Sequence, residues 1–264
     1  MQTLTVILIP LAGTVLGSAT ALFMKKQLSS WIERLLLGFA SGVMIAASVW
    51  SLLLPSLEQT EGEWMPAAIG FITGVGFLLA VDTLTPHLNV HSREREGTLH
   101  LGRNKTAEIN KISSHTMLYI AVTIHNFPEG MAVGAVLAGI FSGSTEVGYA
   151  GAIVLATGIG VQNFPEGAII SMPLRGTGMA RWKSFGLGTL SGLAEPAGAV
   201  LTIVVASQMI TLLPYCLAFA AGAMIYVVVD ELIPEAKSDD CFNIGTIGAA
   251  LGFVLMMVLD VSLG

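Results

Sequence analysis

The chain has 264 residues, of which 53% are hydrophobic and 11% are charged, and its mean hydropathy is +0.76. Soluble proteins carry roughly 25% charged residues, so this composition excludes an ordinary soluble domain and indicates a membrane protein with several spans. The formal net charge of −6 gives no indication of nucleic-acid binding, and the two cysteines predict no disulfide framework.

Eight apolar runs have about the 20 residues that a helix needs to cross the hydrocarbon core of a bilayer. Continuous runs of this length predict helices, because membrane-barrel strands alternate in polarity and are shorter. The predicted fold is therefore an all-α membrane protein, with a single polytopic transmembrane domain over residues 1–264. The predicted spans, numbered 1 to 8, cover residues 4–24, 31–54, 64–82, 114–140, 149–171, 182–208, 212–233 and 244–263. A long polar connection, residues 83–113, separates spans 3 and 4.

The distribution of basic residues predicts the orientation. All twelve lysines and arginines lie in or beside the connections 1–2, 3–4, 5–6 and 7–8, whereas connection 2–3 carries Glu58, Glu61 and Glu63. Basic loops remain on the cytoplasmic side of a membrane. We therefore expect residues 83–113 to be cytoplasmic and both termini to be extracellular or periplasmic. We expect the membrane to be the plasma membrane, which in a bacterium is the inner membrane.

A six-residue phrase occurs twice within the apolar runs, as His-Asn-Phe-Pro-Glu-Gly from residue 125 and Gln-Asn-Phe-Pro-Glu-Gly from residue 162. On a helix, His125 and Glu129 share one face, as do Gln162 and Glu166. The proline of each phrase lacks an N–H and frees a carbonyl one turn earlier. An ionised carboxylate at bilayer depth costs at least about 2.5 kcal/mol. A packing kink explains one such phrase, but two copies indicate a cation site.

A third carboxylate, Glu195 of span 6, falls at a similar depth. No lysine or arginine lies at this depth to compensate the three charges, which leaves protons or metal cations. Histidine with carboxylates suits Zn, Fe, Mn, Co or Ni, whereas Ca and Mg prefer oxygen-only shells. Met44, near the centre of span 2, is a candidate soft ligand, although the pattern around it favours a core methionine.

A second acidic set marks the predicted cytoplasmic ends of spans 3 and 7. Its members are Asp82, His87, Asp230 and Glu231. Two interpretations remain open: an exit path for a cation, or side chains that cap helix ends.

Spans 2 and 7 share a related segment, Leu-Gly-Phe-Ala-Ser-Gly-Val-Met-Ile from residue 37 and Leu-Ala-Phe-Ala-Ala-Gly-Ala-Met-Ile from residue 217. The predicted orientation makes these spans antiparallel, and it does the same for the spans that carry the doubled phrase. The pattern predicts an inverted 3+2+3 repeat, in which spans 1–3 are related to spans 6–8 around a central pair. Inverted repeats with a midplane site are typical of transporters.

The sequence resembles the ZIP (Zrt/Irt-like) family of divalent-metal transporters, and in particular its GufA-like bacterial branch. The resemblance rests on the paired Pro-Glu-Gly motifs in adjacent spans and on the Glu-Pro of span 6. It implies a binuclear site. One metal ion would be held by His125, Glu129, Gln162 and Glu166, with help from Met44. The second would be held by Asn126, Glu129, Asn163, Glu166 and Glu195.

The resemblance also implies that spans 1, 4, 5 and 6 move together against the others, that the protein dimerises, and that the second acidic set releases the ion. One departure concerns Asn163, because some members have Asp at this position. The second metal site of this chain is therefore one charge poorer.

We expect an importer that carries Zn²⁺, and related ions such as Cd²⁺, Fe²⁺, Mn²⁺ and Co²⁺, into the cytoplasm by alternating access. The expected partners are metal ions, the lipid bilayer and a second copy of the chain. A carrier of the same fold with Fe²⁺ or Mn²⁺ as its cargo remains open. A metal sensor and an intramembrane metalloprotease are alternatives of other classes. We expect no enzyme, because the protease normally needs His-Glu-x-x-His, which none of the five histidines provides.

Overall fold

The computed structural model describes residues 1–23, 29–84, 87–88, 95–96, 114–143, 148–176, 178–208, 210–237 and 243–263. Most of these residues are helical, and the helices follow the apolar runs of the sequence. We label the helices α1 to α8 in chain order, and treat each short helical continuation as part of the same helix. Their bounds are α1, Gln2–Ser18 and Thr20–Phe23; α2, Ser30–Ala47 to Leu54–Glu58; α3, Trp64–Leu84; α4, Ser114–Ser142; α5, Tyr149–Gly176; α6, Arg181–Ser191 and Ala194–Gln208; α7, Leu213–Val227 to Ile233–Ala236; and α8, Ile244–Leu263.

Seven of these helices, counted over the described residues, are long and apolar enough to cross a membrane: α1, α2, α3, α5, α6, α7 and α8. The one remaining predicted span, span 4, is also a helix, α4, with 29 residues. The apolar surface fits a bilayer, because few residues of α3 and α8 are fully buried, whereas most residues of α5 are. The multi-span architecture is confirmed, and the count of eight spans remains a prediction.

Besides the one-residue interruption of α1 at Ala19, three helices depart from the continuous α-helices that the sequence predicts. In α2 the residues Ser48–Leu53 form a π-helical turn, and in α7 the residues Val228–Leu232 do the same. A proline follows the last residue of each turn two positions later, at Pro55 and at Pro234. Because proline cannot donate to the preceding turn, the local hydrogen-bond register has to adjust there.

The third departure is a break in α6 between Ser191 and Ala194. Pro196 lies in the first turn of the second segment, where its missing N–H has no intrahelical partner to lose. The break places Glu195 at the start of a helix, where the N–H groups of the first turn favour negative charge.

Each helix has one partner against which it packs most extensively. The four pairs are α1 with α5, α4 with α6, α2 with α8 and α3 with α7. Glycines allow the close approach in these pairs. For example, a Cβ at Gly42 would overlap the backbone oxygen of Ala249 in α8, and one at Gly222 would overlap that of Phe71 in α3. The apolar core lies where the helices meet, with Met44, Leu155 and Met224 among its buried side chains.

The connection between α3 and α4 contains one short element that the sequence did not predict. His87–Leu88 pairs antiparallel with Arg95–Glu96. The rest of the connection lies outside the described residues.

Candidate metal site

The two copies of the repeated phrase meet between α4 and α5. The Nε2 of Gln162 donates a hydrogen bond of 2.7 Å to Oε1 of Glu129. Both side chains are fully buried, as are those of Asn126 and Asn163. Glu166 is 7% exposed. The sequence-predicted cluster of amides and carboxyls therefore exists, at the junction of the two central helices.

Glu195 joins the cluster from α6. Its side chain is 1% exposed, and its Oε1 accepts a hydrogen bond of 2.6 Å from the hydroxyl of Thr14 in α1. The backbone brings Glu195 close to the first phrase, because a Cβ at Gly130 would overlap the backbone oxygen of Glu195. Its carboxyl lies within electrostatic range of the carboxyls of Glu129 and Glu166.

Several buried oxygens in this cluster lack a hydrogen-bond partner among the described residues. They are Oδ1 of Asn126, Oε2 of Glu129, Oε1 of Gln162, Oδ1 of Asn163 and Oε2 of Glu195. A buried polar atom without a partner costs about 1–3 kcal/mol. Every buried amide or carboxyl oxygen in this condition, within the described part of the chain, belongs to the repeated phrases or to Glu195. The buried amide and carboxyl oxygens that lack partners are thus confined to the two repeated phrases and Glu195.

The donor set fits a divalent cation as substrate. It combines carboxylate and amide oxygens, and an ion bound to them would stabilise the oxygens that no N–H or O–H reaches. No group of three His, Cys, Asp or Glu side chains close enough to hold one ion occurs among the described side chains. Asn and Gln are not among those four residue types, but their amide oxygens also bind cations, and Asn126, Gln162 and Asn163 are half of the six residues in the cluster.

The other predicted site residues either lie in the apolar core or on α7, or have side chains outside the described part of the structure. The side chains of His125, Asp82 and His87 are outside the described part, although their backbones lie in α4, α3 and the short strand. Met44 is fully buried in the apolar core, so its role as a ligand stays a prediction. In α7, Asp230 is exposed and Glu231 is half-buried, both within the π-helical turn.

The structure adds a polar pair that sequence reasoning missed. The hydroxyl of Ser51 in α2 donates to both carboxyl oxygens of Asp260 in α8, at 2.9 and 2.8 Å. The pair lines a cavity of about 330 Å³ together with Trp50, Glu58 and Leu155. Asp260 stands out in the sequence as a carboxylate within an apolar helix. Its partner Ser51, which lies 209 positions away, could not be found from the sequence.

The chain is similar in sequence to a family of zinc transporters. The model of the family described as ZIP zinc transporter matches residues 91–260. The zinc transporter GufA of Myxococcus xanthus is 35% identical over an alignment of 262 positions that covers 96% of each chain. The zinc transporter ZIPB of Bordetella bronchiseptica is 35% identical over 96% of this chain and 78% of its own length. The human zinc transporter ZIP11 is 35% identical over 86% of this chain and 87% of its own length.

Proposed function

The chain belongs to the ZIP zinc transporter family, and on that basis we propose that it carries Zn²⁺ across the membrane into the cytoplasm. The relatives are named as transporters, and the chain is accordingly a multi-pass membrane transporter and no enzyme. The observation that carries the proposal is the cluster of buried oxygens without hydrogen-bond partners among the described residues, contributed by α4, α5 and α6. Hydrocarbon cannot solvate such groups, and a divalent cation can.

We propose that the cluster is binuclear. The first ion takes His125, Glu129, Gln162 and Glu166, with Met44 as an additional ligand. The second takes Asn126, Asn163 and Glu195 and shares Glu129 and Glu166 with the first. The hydrogen bond between Gln162 and Glu129 supports this arrangement, because it brings residues of both phrases to one point. Zn²⁺ is the proposed cargo, and Cd²⁺, Fe²⁺, Mn²⁺ and Co²⁺ are candidates of similar chemistry.

The helix pairs support an inverted repeat of eight spans. The proposed repeat relates α1 to α6, α2 to α7, α3 to α8 and α4 to α5. Under this relation the packed pair α1–α5 corresponds to the packed pair α6–α4. In the same way, the pair α2–α8 corresponds to the pair α7–α3. Individual contacts follow the same rule. Gly252 lies against Phe39 and Gly74 lies against Phe219; the phenylalanines are 219 − 39 = 180 positions apart and the glycines 252 − 74 = 178.

The two π-helical turns obey this relation as well. Ser48 and Val228, where the turns begin, are 180 positions apart, whereas the prolines that follow, Pro55 and Pro234, are 179 apart. The one-residue slip falls inside the turns, which have six and five residues. Helices α2 and α7 are five crossings apart, so they run in opposite directions if every helix crosses. The relating axis then lies in the membrane plane, as in many transporters.

The packing also supports alternating access. The extensive pairs fall into two groups, one of α1, α4, α5 and α6, and one of α2, α3, α7 and α8. The first group contains every proposed ligand except Met44. The cavity with Asp260 lies where α2 and α8 of the second group face α4 and α5 of the first. We propose that the ion enters there, that the first group moves against the second, and that the ion leaves past Asp230 and Glu231.

Flux into liposomes tests the proposal. The purified chain is reconstituted around a fluorescent metal indicator, and Zn²⁺, Cd²⁺, Fe²⁺, Mn²⁺ and Co²⁺ are added outside in turn. We expect Zn²⁺ entry well above that of empty liposomes. Saturable binding of Zn²⁺ with no entry would favour the metal sensor instead. Entry of Fe²⁺ or Mn²⁺ in preference to Zn²⁺ would reassign the cargo.

A further inference from the structure

The structure points to Thr14 as a positioning residue for the metal site: we propose that its hydroxyl fixes the carboxylate of Glu195 so that the second carboxyl oxygen faces the ion. This inference rests on the proposed function, because it assumes that Glu195 is a ligand. Thr14 does not itself touch the ion in this proposal. It acts through Glu195.

The two carboxyl oxygens of Glu195 have different surroundings: one accepts a hydrogen bond, and the other has no partner within the described part of the chain. Oε1 accepts from the Thr14 hydroxyl at 2.6 Å, and both residues are buried, at 0% and 1% exposure. Oε2 has no hydrogen-bond partner among the described residues. A carboxylate held by one oxygen keeps a defined orientation, and its other oxygen remains available for a cation.

Thr14 is itself held on two sides. Its Cβ and methyl group lie against Gly192, at the break in α6, where an added Cβ would be only 3.0 Å from each of them. Its backbone oxygen lies against Gly167 of the second phrase. A β-branched side chain has few χ1 rotamers, and this packing restricts them further. The hydroxyl is therefore presented to Glu195 in one direction.

In the proposed inverted repeat, Thr14 of α1 occupies the position that corresponds to Glu195 of α6. Gly17 of α1 lies against the backbone of Phe164, and Gly198 of α6 lies against that of Phe127. The glycines are 198 − 17 = 181 positions apart and the phenylalanines 164 − 127 = 37. The same offset of 181 relates Thr14 to Glu195. The two helices thus meet the site with equivalent residues, of which α6 supplies the ligand and α1 supplies the group that orients it.

Groups that hold metal ligands in place affect affinity strongly, since their removal commonly costs about 10–100-fold. Thr14→Val keeps the shape of the side chain and removes the hydroxyl. We expect it to weaken the second Zn²⁺-binding event of the purified full chain about tenfold, measured by titration calorimetry in detergent. Thr14→Ser keeps the hydroxyl and should restore most of the affinity.

A double-mutant cycle separates positioning from a general packing effect. In a Glu195→Ala background the carboxylate is gone, so Thr14→Val should cause no further loss. Thr202→Val is the matched control, because Thr202 is also buried but its hydroxyl bonds to the backbone of its own helix at Gly198. This control should bind Zn²⁺ as the native protein does. If Thr14→Val fails to fold, Thr14→Ala takes its place in the cycle.

The inference is overturned if Thr14→Val binds Zn²⁺ with native affinity, if it loses equal affinity in both backgrounds, or if Thr14→Ser binds as weakly as Thr14→Val. Failure of the proposed function looks different, since Glu129→Ala and Glu195→Ala would then also leave Zn²⁺ binding unchanged. If these two variants lose binding while Thr14→Val does not, only the role of Thr14 is wrong.

Discussion

Gln162 and Glu129 are joined by a buried side-chain hydrogen bond of 2.7 Å, although they belong to different copies of the repeated phrase. The bond occupies one oxygen of Glu129 and leaves Oε2 without a partner among the described residues. It also occupies the amide N–H of Gln162 and leaves the amide oxygen. The bond thereby fixes the orientation of two side chains from adjacent helices, each of which keeps one potential ligand atom.

Removal of the Glu129 charge is predicted to abolish transport. Glu129→Gln keeps the size of the side chain, but it replaces the carboxylate that the proposed site shares between two ions. We expect Zn²⁺ flux into proteoliposomes to fall to the level of empty liposomes, and Glu166→Ala to do the same. Glu63→Gln, at an exposed carboxylate outside the helices, should retain native flux. Native flux in Glu129→Gln or Glu166→Ala, at equal protein content, would mean that the site is elsewhere.

The glycine that ends each phrase is predicted to be required for helix packing. Gly130→Ala would drive a methyl group into the backbone of Glu195, and Gly167→Ala would do so at Thr14. Overpacking of this kind costs about 1–3 kcal/mol, so both variants should unfold at lower temperature in detergent and transport less Zn²⁺.

Gly76→Ala is the matched control for these glycine variants. Gly76 is also helical, and a methyl group added there would have no side chain or neighbouring helix of the described residues within 4 Å. Alanine favours a helix over glycine by about 1 kcal/mol, so this variant should be at least as stable as the native protein. If Gly130→Ala and Gly76→Ala behave alike, the close contact of α4 with α6 is not needed for stability.

The basic loops predict a labelling pattern. In a background of Cys216→Ser and Cys241→Ser, a single cysteine at exposed Glu63 should react with an impermeant thiol reagent added to intact cells. A cysteine at exposed Ala180 should react only after the membrane is permeabilised, because its neighbours Arg175, Arg181 and Lys183 keep that loop inside. The opposite pattern would invert the assignment of both termini.

The lengths of the apolar runs located two of the helices closely. The predicted spans 64–82 and 244–263 coincide with Trp64–Leu84 and Ile244–Leu263 to within two residues. A run of about twenty apolar residues in a bilayer forms an α-helix, because only a helix satisfies all of its backbone hydrogen bonds within the segment. The prediction therefore needed no information about distant parts of the chain. The cluster of Glu129, Gln162 and Glu195 was also predictable, because polar groups are expensive in apolar spans and therefore stand out.

Tertiary hydrogen bonds were beyond the sequence. In the sequence Thr14 is one small polar residue in an apolar span, and such a residue commonly bonds to its own helix, as Thr202 does. Its hydrogen bond to Glu195 lies next to the break in α6 at Gly192. The residues around that break are helix formers and small residues, so the sequence does not predict the break. The π-helical turns escaped for a related reason, since they arise from a local register shift that leaves the hydrophobic pattern intact.

The last prediction concerns the charge of the second metal site. Asn163 is fully buried, its amide lies within reach of the carboxyls of Glu129 and Glu195, and its Oδ1 lacks a hydrogen-bond partner among the described residues. Asn163→Asp places a carboxylate beside Glu195 and adds one negative charge for the ion to neutralise. We expect the second Zn²⁺-binding event to become about tenfold tighter, and its affinity to depend more steeply on pH, since metal ions compete with protons for carboxylates. Calorimetric titration of the purified chain at two pH values measures both effects, and Asn163→Ala, which removes the amide ligand, should weaken the same event. If Asn163→Asp leaves the stoichiometry, the affinity and the pH dependence unchanged, Asn163 is not part of a second metal site.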